Sequence, residues 1–478
     1  MILGSAPGAG LRPISLVLAG VLLLPQAAAA HGVQGRAETP IPISAFFWAA
    51  GGVLIVSFLA LSLGWSKAKF AGVPWRAAPA RFSDLVLSRT TVWAGRVLVL
   101  AVFLFVTCAA AFGSTQLNDN IAPVTIFVVW WVGLVPLSVL FGDVWRQLNP
   151  WATMARLLRL PEVRERSFPR SLGLWPAVVF LVAWAWLELV YPTAAETRLI
   201  AGLIVGYSVL TLAGMWHYGI ERWLDHGEVF AVYTGILSKL SPVEVREGRL
   251  GFRPPVIGVT RIGWRPAQVA FIAVLIGTVT FDGLSGSDFW ATRDVAAAER
   301  LIDLGMGSFT AGIVVATIGL GVTMLLVMGA YEGAAYLSSR AVPDARWREP
   351  GRVALAFGHS LIPIALAYFI AHYFTLFVFQ SQDLLRLASD PFGTGADIFG
   401  SAGRTIDFTI VSANAIWAVQ VSVIVIGHVL ALLLAHDRAL EIVGDSRAAA
   451  RSQYPMLVLM VLLTVSGLWS ISEGMATV

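Results

Sequence analysis

Residues 357–380 read FGHSLIPIALAYFIAHYFTLFVFQ, an unbroken run with two histidines, His359 and His372, and no charged side chain. A helix crosses about 30 Å of hydrocarbon in about 20 residues, so this stretch is long enough to span a bilayer. Lipid offers no partner for backbone N–H and C=O groups, which leaves helices or closed barrels as spanning structures. The run lacks the alternation of a barrel strand, and the helix is the reading that remains.

Similar windows fall near 44–64, 92–113, 121–141, 173–191, 199–219, 266–283, 309–331, 407–435 and 455–472, and the quoted run sits in a window at 353–380. The expected fold is therefore all-α, a polytopic bundle of ten transmembrane helices. The composition agrees: 57% of the 478 residues are hydrophobic and 13% charged, which excludes a water-soluble enzyme. Forty-five glycines and eighteen tryptophans suit close helix packing and interfacial anchoring. Cys108 is the one cysteine, so neither an internal disulfide nor a cysteine-based metal centre is expected.

The basic residues set the orientation. The loops at 65–91, 142–172, 220–265, 339–352 and 437–454 hold 25 of the 33 Lys and Arg, and the segments on the other side hold 6. The positive-inside rule places the five basic loops in the cytoplasm and both termini outside. That distribution also accounts for the net charge of +4 without a nucleic-acid partner. Arg12, the apolar stretch to Pro25 and Ala27–Ala30 read as a signal peptide over residues 1–30. Cleavage there would leave a single membrane domain, 31–478, beginning with His31.

Two tetrapeptide echoes suggest an internal duplication: Gly142-Asp143-Val144-Trp145 with Gly227-Glu228-Val229-Phe230, and Glu162-Val163-Arg164-Glu165 with Glu244-Val245-Arg246-Glu247. Residues 151–160 and 228–240 carry apolar residues at helical spacing, as amphipathic interfacial helices would. The outer loop at 381–406, rich in glycine, is long enough for a lid.

Five of the seven histidines fall within or at the ends of spans. His359 and His428 reach the same depth on antiparallel neighbours, with His217, His436, Glu221, Glu332 and Asp143 nearer the cytoplasmic surface. Ionisable groups at membrane depth point to function, and imidazoles with carboxylates hold divalent transition metals such as zinc, iron or copper. The metal reading takes His359 and His428 as ligands, then His217, His436 and Glu332. His372 and the amino-terminal His31 are further candidate ligands, and Asp143 or Glu221 is the general base. A haem between His359 and His428 is an alternative, and histidines that merely bond neighbouring helices are another. Arg96, Glu188 and Asp282 lie near span ends, where snorkelling is expected. No nucleotide-binding or hydrolase motif occurs.

The start His31-Gly32, GDVWRQLNPW at 142–151, the quoted run to Tyr373 and GHVLALLLAHDRAL at 427–440 together resemble bacterial membrane proteins known as fenitrothion hydrolases. The resemblance covers most of the chain in helix count and motif order. It implies a multi-pass protein of the bacterial plasma membrane that hydrolyses an organophosphorus triester at its P–O–aryl bond, with an apolar small molecule as substrate. A metal held by histidines would activate water for that reaction. A haem-binding or metal-transporting membrane protein is the competing expectation.

Overall fold

The computed structural model describes residues 43–476 except 71, 73, 165–167, 343 and 350; residues 1–30, where a signal peptide is expected, and His31 lie outside the described residues. In chain order the helices are α1 (Ile43–Gly64), α2 (Ala80–Leu87), α3 (Arg89–Phe112) and α4 (Ile121–Phe141). They continue with α5 (Val144–Leu148), α6 (Pro150–Leu157), α7 (Trp175–Leu189), α8 (Thr197–Tyr218), α9 (Ile220–His226) and α10 (Val229–Leu237). Then come α11 (Pro266–Ser285), α12 (Asp288–Asp303), α13 (Ser308–Ala341) and α14 (Arg352–Gln380). The last are α15 (Asp383–Ser389), α16 (Ala413–Val443), α17 (Ser446–Ser452) and α18 (Tyr454–Ala476). Among the described residues eight helices are long and apolar enough to cross a membrane, nine if α17 and α18 form one bent span.

α11 is the axis of the bundle. Of its most apolar 18 residues 78% are buried, against 17% for the span that contains α3, and α7, α13, α14 and α18 pack around it. Polar groups on α11 therefore face protein even near its ends. α14 and α16 form the closest seam. A Cβ on Gly427 would lie 2.3 Å from the Ala367 Cβ and 2.8 Å from the Pro363 carbonyl oxygen, so only glycine permits this approach. Pro363 has no N–H to give the carbonyl of residue 359, and α14 tightens into a 3₁₀ turn at Gly358–Ser360.

The five basic segments share one face. Asp437 accepts hydrogen bonds from Trp65 Nε1 at 3.1 Å and from the Lys69 and Phe70 amides at 2.6 and 3.3 Å. Arg146 pairs with Glu221 at 2.5 Å and Asp225 at 2.6 Å. Trp347 and Arg352 line a cleft with Trp264 and Arg438. On the opposite face Arg198 donates to the Ala110 and Gly113 carbonyls at 2.7 and 2.9 Å. α7 thus runs between the two faces although it has only 15 residues.

A small sheet departs from the all-α expectation. Strands β1 (Arg76–Ala77), β2 (Val243–Arg246) and β3 (Arg249–Phe252) pair antiparallel in the order β1-β3-β2. Glu247 and Gly248, at φ 49° and 75°, make the tight turn between β2 and β3. This sheet stitches the 65–91 loop to the 220–265 loop.

One further expectation changes. α10 is buried along nearly its whole length, so it is a core helix and does not lie on the bilayer surface. The outer loop folds: Ser114 N donates to Phe392 O at 2.7 Å, Ile121 N to Pro391 O at 3.2 Å, and Arg386 to the Asn118 carbonyl. The echo at 142–145 and 227–230 recurs in structure, since Asp143 caps α5 and Glu228 caps α10. The second echo does not, because Glu244 and Val245 lie in β2 while Glu162 and Val163 lie in a bend.

Candidate functional site

The polar groups that converge inside the bundle come from α7, α11 and α14, towards the ends remote from the basic loops. His372 Nε2 lies 2.7 Å from Asp282 Oδ2. The hydroxyl of Tyr373 is 3.3 Å from that same oxygen and 3.3 Å from Glu188 Oε1. It carries one hydrogen and can donate to one carboxylate at a time. The four side chains form one chain, Glu188–Tyr373–Asp282–His372.

An aromatic wall encloses the Glu188 end. Trp131 stacks on Tyr233 at 5.2 Å between ring centroids, and Phe369 packs against Tyr373 at 4.7 Å. Glu188 Oε2, the indole nitrogens of Trp131 and Trp184 and the Tyr233 hydroxyl are all buried without a hydrogen-bond partner. Trp131 and Trp184 lie beside the Glu188 carboxylate.

The His372 end continues along the α14–α16 seam. A cavity of about 20 Å³ lies among His372, Tyr368, Thr280 and Ile424, room for about one water. Tyr368 faces His428 at 5.8 Å between centroids. The fully buried His428 uses Nδ1–H to donate to the Ile424 carbonyl at 2.8 Å, which fixes the tautomer. Its Nε2 has no partner.

His359 is not joined to His428. Its Nε2 is 3.3 Å from the Leu434 carbonyl, six residues and about 9 Å along α16 from His428. It lines the cleft of about 830 Å³ on the basic face, to which His428 contributes nothing. The other residues nominated from sequence are dispersed. His436 is held by the Trp65 carbonyl and Gln453 Nε2, both at 3.1 Å. His217 packs edge-on to Tyr218. Glu332 is exposed while neighbouring Tyr331 takes the buried side of α13. Asp143 caps α5, and Glu221 is engaged by Arg146 and Arg156. Among the described residues no three His, Cys, Asp or Glu side chains form a group able to hold a metal ion. The donor set imagined around His359 and His428 does not assemble.

Glu188 and Asp282, read from sequence as snorkelling residues, are the site residues that depth alone missed. The available signal was the pair of acids near the ends of adjacent outward-running spans, at the depth of His372. The chain matches no protein-family model, no curated protein and no solved structure.

Proposed function

We propose that the protein is a multi-pass plasma-membrane protein whose Glu188–Tyr373–Asp282–His372 chain takes up and passes protons within the bilayer. In this reading the basic face is cytoplasmic and the chain crosses ten times after a cleaved signal, α7 and the bent α17–α18 pair each counting as a crossing. The observation that carries the proposal is the Tyr373 hydroxyl shared between two partly buried carboxylates, one of which is bonded to an imidazole. A proton crosses between the carboxylates when Tyr373 gives its phenolic hydrogen to the ionised one and takes the proton of the other, protonated, one; a turn of the hydroxyl then resets the donor. Carboxylate and histidine chains at membrane depth are the usual parts of proton relays. The water-sized cavity, Tyr368 and His428 extend the chain toward the cleft at His359. In liposomes carrying a trapped pH dye, wild-type protein is expected to dissipate an imposed pH gradient, and Asp282→Asn and Tyr373→Phe to slow it at least tenfold. Equal rates in folded variants would overturn the proposal.

A second reading rests on the same pair. His372 oriented by Asp282 is the arrangement of a general base, so the triester hydrolysis implied by the resemblance would run at this dyad. Release of nitrophenol from an aryl phosphotriester, abolished in His372→Gln but retained in His359→Ala, would favour it. No turnover by the wild type would remove it.

A further inference from the structure

A cavity of about 880 Å³ opens between α3, α4, α6, α7, α8 and α10. Phe103, Trp130, Trp151, Trp184 and Phe230 dominate its wall. α4 is wound as a π-helix over Val124–Trp130 along this wall, a rare geometry that clusters at functional sites. The α3 and α8 sides belong to spans with only 17% and 28% of their apolar windows buried. The cavity therefore faces the bilayer, and its occupant arrives from lipid.

The occupant has a polar end, because Arg96, Val99, Phe103 and Val106 follow one another at spacings of three and four and form one stripe of α3. The last three line the cavity. Arg96, one turn nearer the basic face, belongs to a recess with Arg156, Glu162 and Glu221. Arg96 Nε donates to the Gln147 carbonyl at 2.9 Å, which ties it to the rim at Leu148. Arg156 bonds Glu162 at 2.7 Å and Glu221 at 3.3 Å, while its buried Nη1 has no partner. Two guanidinium groups and two carboxylates give the recess no net charge. A purely anionic head would gain at the arginines what it loses at the glutamates. A head with a phosphate and a primary ammonium satisfies both.

We propose that this is a binding site for a phosphoethanolamine lipid, its acyl chains in the aromatic cavity and its phosphate on Arg96 and Arg156 Nη1. The ammonium lies against Glu162 and Glu221. The site is separate from the Glu188–Tyr373–Asp282–His372 chain and does not depend on its role.

The test reconstitutes full-length protein in nanodiscs of phosphatidylethanolamine, phosphatidylcholine or phosphatidylglycerol, transfers it to detergent, and counts retained lipid by native mass spectrometry. Wild type is expected to keep one phosphatidylethanolamine at least fivefold more often than either other lipid. Glu162→Gln should abolish that preference, and Arg96→Gln should lower retention of all three lipids, since each carries the phosphate. Gly206→Leu should lower retention of every lipid, because Gly206 lines the cavity and a Cβ there meets nothing within 4 Å, so the side chain fills space without clashing. Equal retention of all three lipids by wild type, unchanged preference in Glu162→Gln, or unchanged retention in both Arg96→Gln and Gly206→Leu, would overturn the site.

Discussion

His372 and Asp282 stand ninety residues apart in sequence and 2.7 Å apart in the bundle, joining α14 to the central helix α11. The contact is about three-quarters removed from solvent on both sides, with side-chain exposures of 24% and 23%. A pair in such surroundings is strong in one sense only, since removing one member strands the other.

Asp282→Asn and His372→Gln are each expected to lower stability by about 1–3 kcal/mol, the penalty for an unsatisfied buried group. The double variant should be less destabilised than the sum, because neither group is then left without its partner. Thermal unfolding in detergent of the four proteins measures the coupling. Strict additivity would show that the two side chains act independently.

The α14–α16 seam makes a steric prediction. A Leu at Gly427 must displace Ala367 and the backbone at Pro363, and backbone cannot yield as a flexible side chain does. Gly427→Leu should lose the monodisperse peak in size-exclusion chromatography. Gly329→Leu, where a Cβ meets nothing within 4 Å, should retain it. If both behave alike, the seam is not the constraint.

Much of the bundle is legible in the residues because lipid imposes a simple rule: every apolar run of sufficient length becomes a helix. The charge asymmetry likewise anticipates which loops meet, as the Asp437 and Arg146 contacts show. Rotation about a helix axis is less readable. Glu332 has the composition and depth of a ligand, yet it points outward because Tyr331 is the residue that packs. Asp282 looks like a snorkelling residue until α11 proves central, a fact that depends on five helices at once. His359 and His428 match in estimated depth, but a 3₁₀ turn at one and the register of α16 at the other set them apart. The sheet is different. VEVREGRLGF at 243–252 carries period-2 alternation and a Glu-Gly turn, a local hairpin signal that reading the segment as a basic loop passes over.

Glu221 stands on the basic face as a salt-bridge partner of two arginines. It bonds Arg146 at 2.5 Å and Arg156 at 3.3 Å with 37% of its side chain exposed. Partly exposed pairs contribute about 1 kcal/mol or less each. With two such pairs, Glu221→Gln is expected to cost at most about 2 kcal/mol in unfolding free energy and to leave gradient dissipation in liposomes unchanged. A tenfold loss of flux in a folded Glu221→Gln protein would move the working site to the basic face.

The outer loop carries a pH dependence whose sign follows from its hydrogen bonds. Asp397 accepts from the Ser389 hydroxyl at 2.7 Å and the Ala402 amide at 3.0 Å, and these bonds hold its carboxyl below the usual value. For Asp390 desolvation is the largest single influence and raises the carboxyl, but the Thr394 and Gly395 amides, at 2.9 and 2.6 Å, and the Thr394 hydroxyl together outweigh it and hold it below as well. Both groups favour the folded loop when ionised. Their contribution is fully present above the unfolded carboxyl pKa of about 3.9 and is lost as pH falls through the depressed folded values. Amide exchange over residues 389–402, corrected for intrinsic rates, should stay slow from pH 7 to 5 and accelerate below about pH 4. Asp397→Asn should raise the corrected exchange at pH 7, because a neutral amide is a weaker acceptor than a carboxylate for both Ser389 and Ala402. Exchange in wild type that quickens between pH 7 and 5 would assign the loop's order to a group of higher pKa and remove the two aspartates from that role.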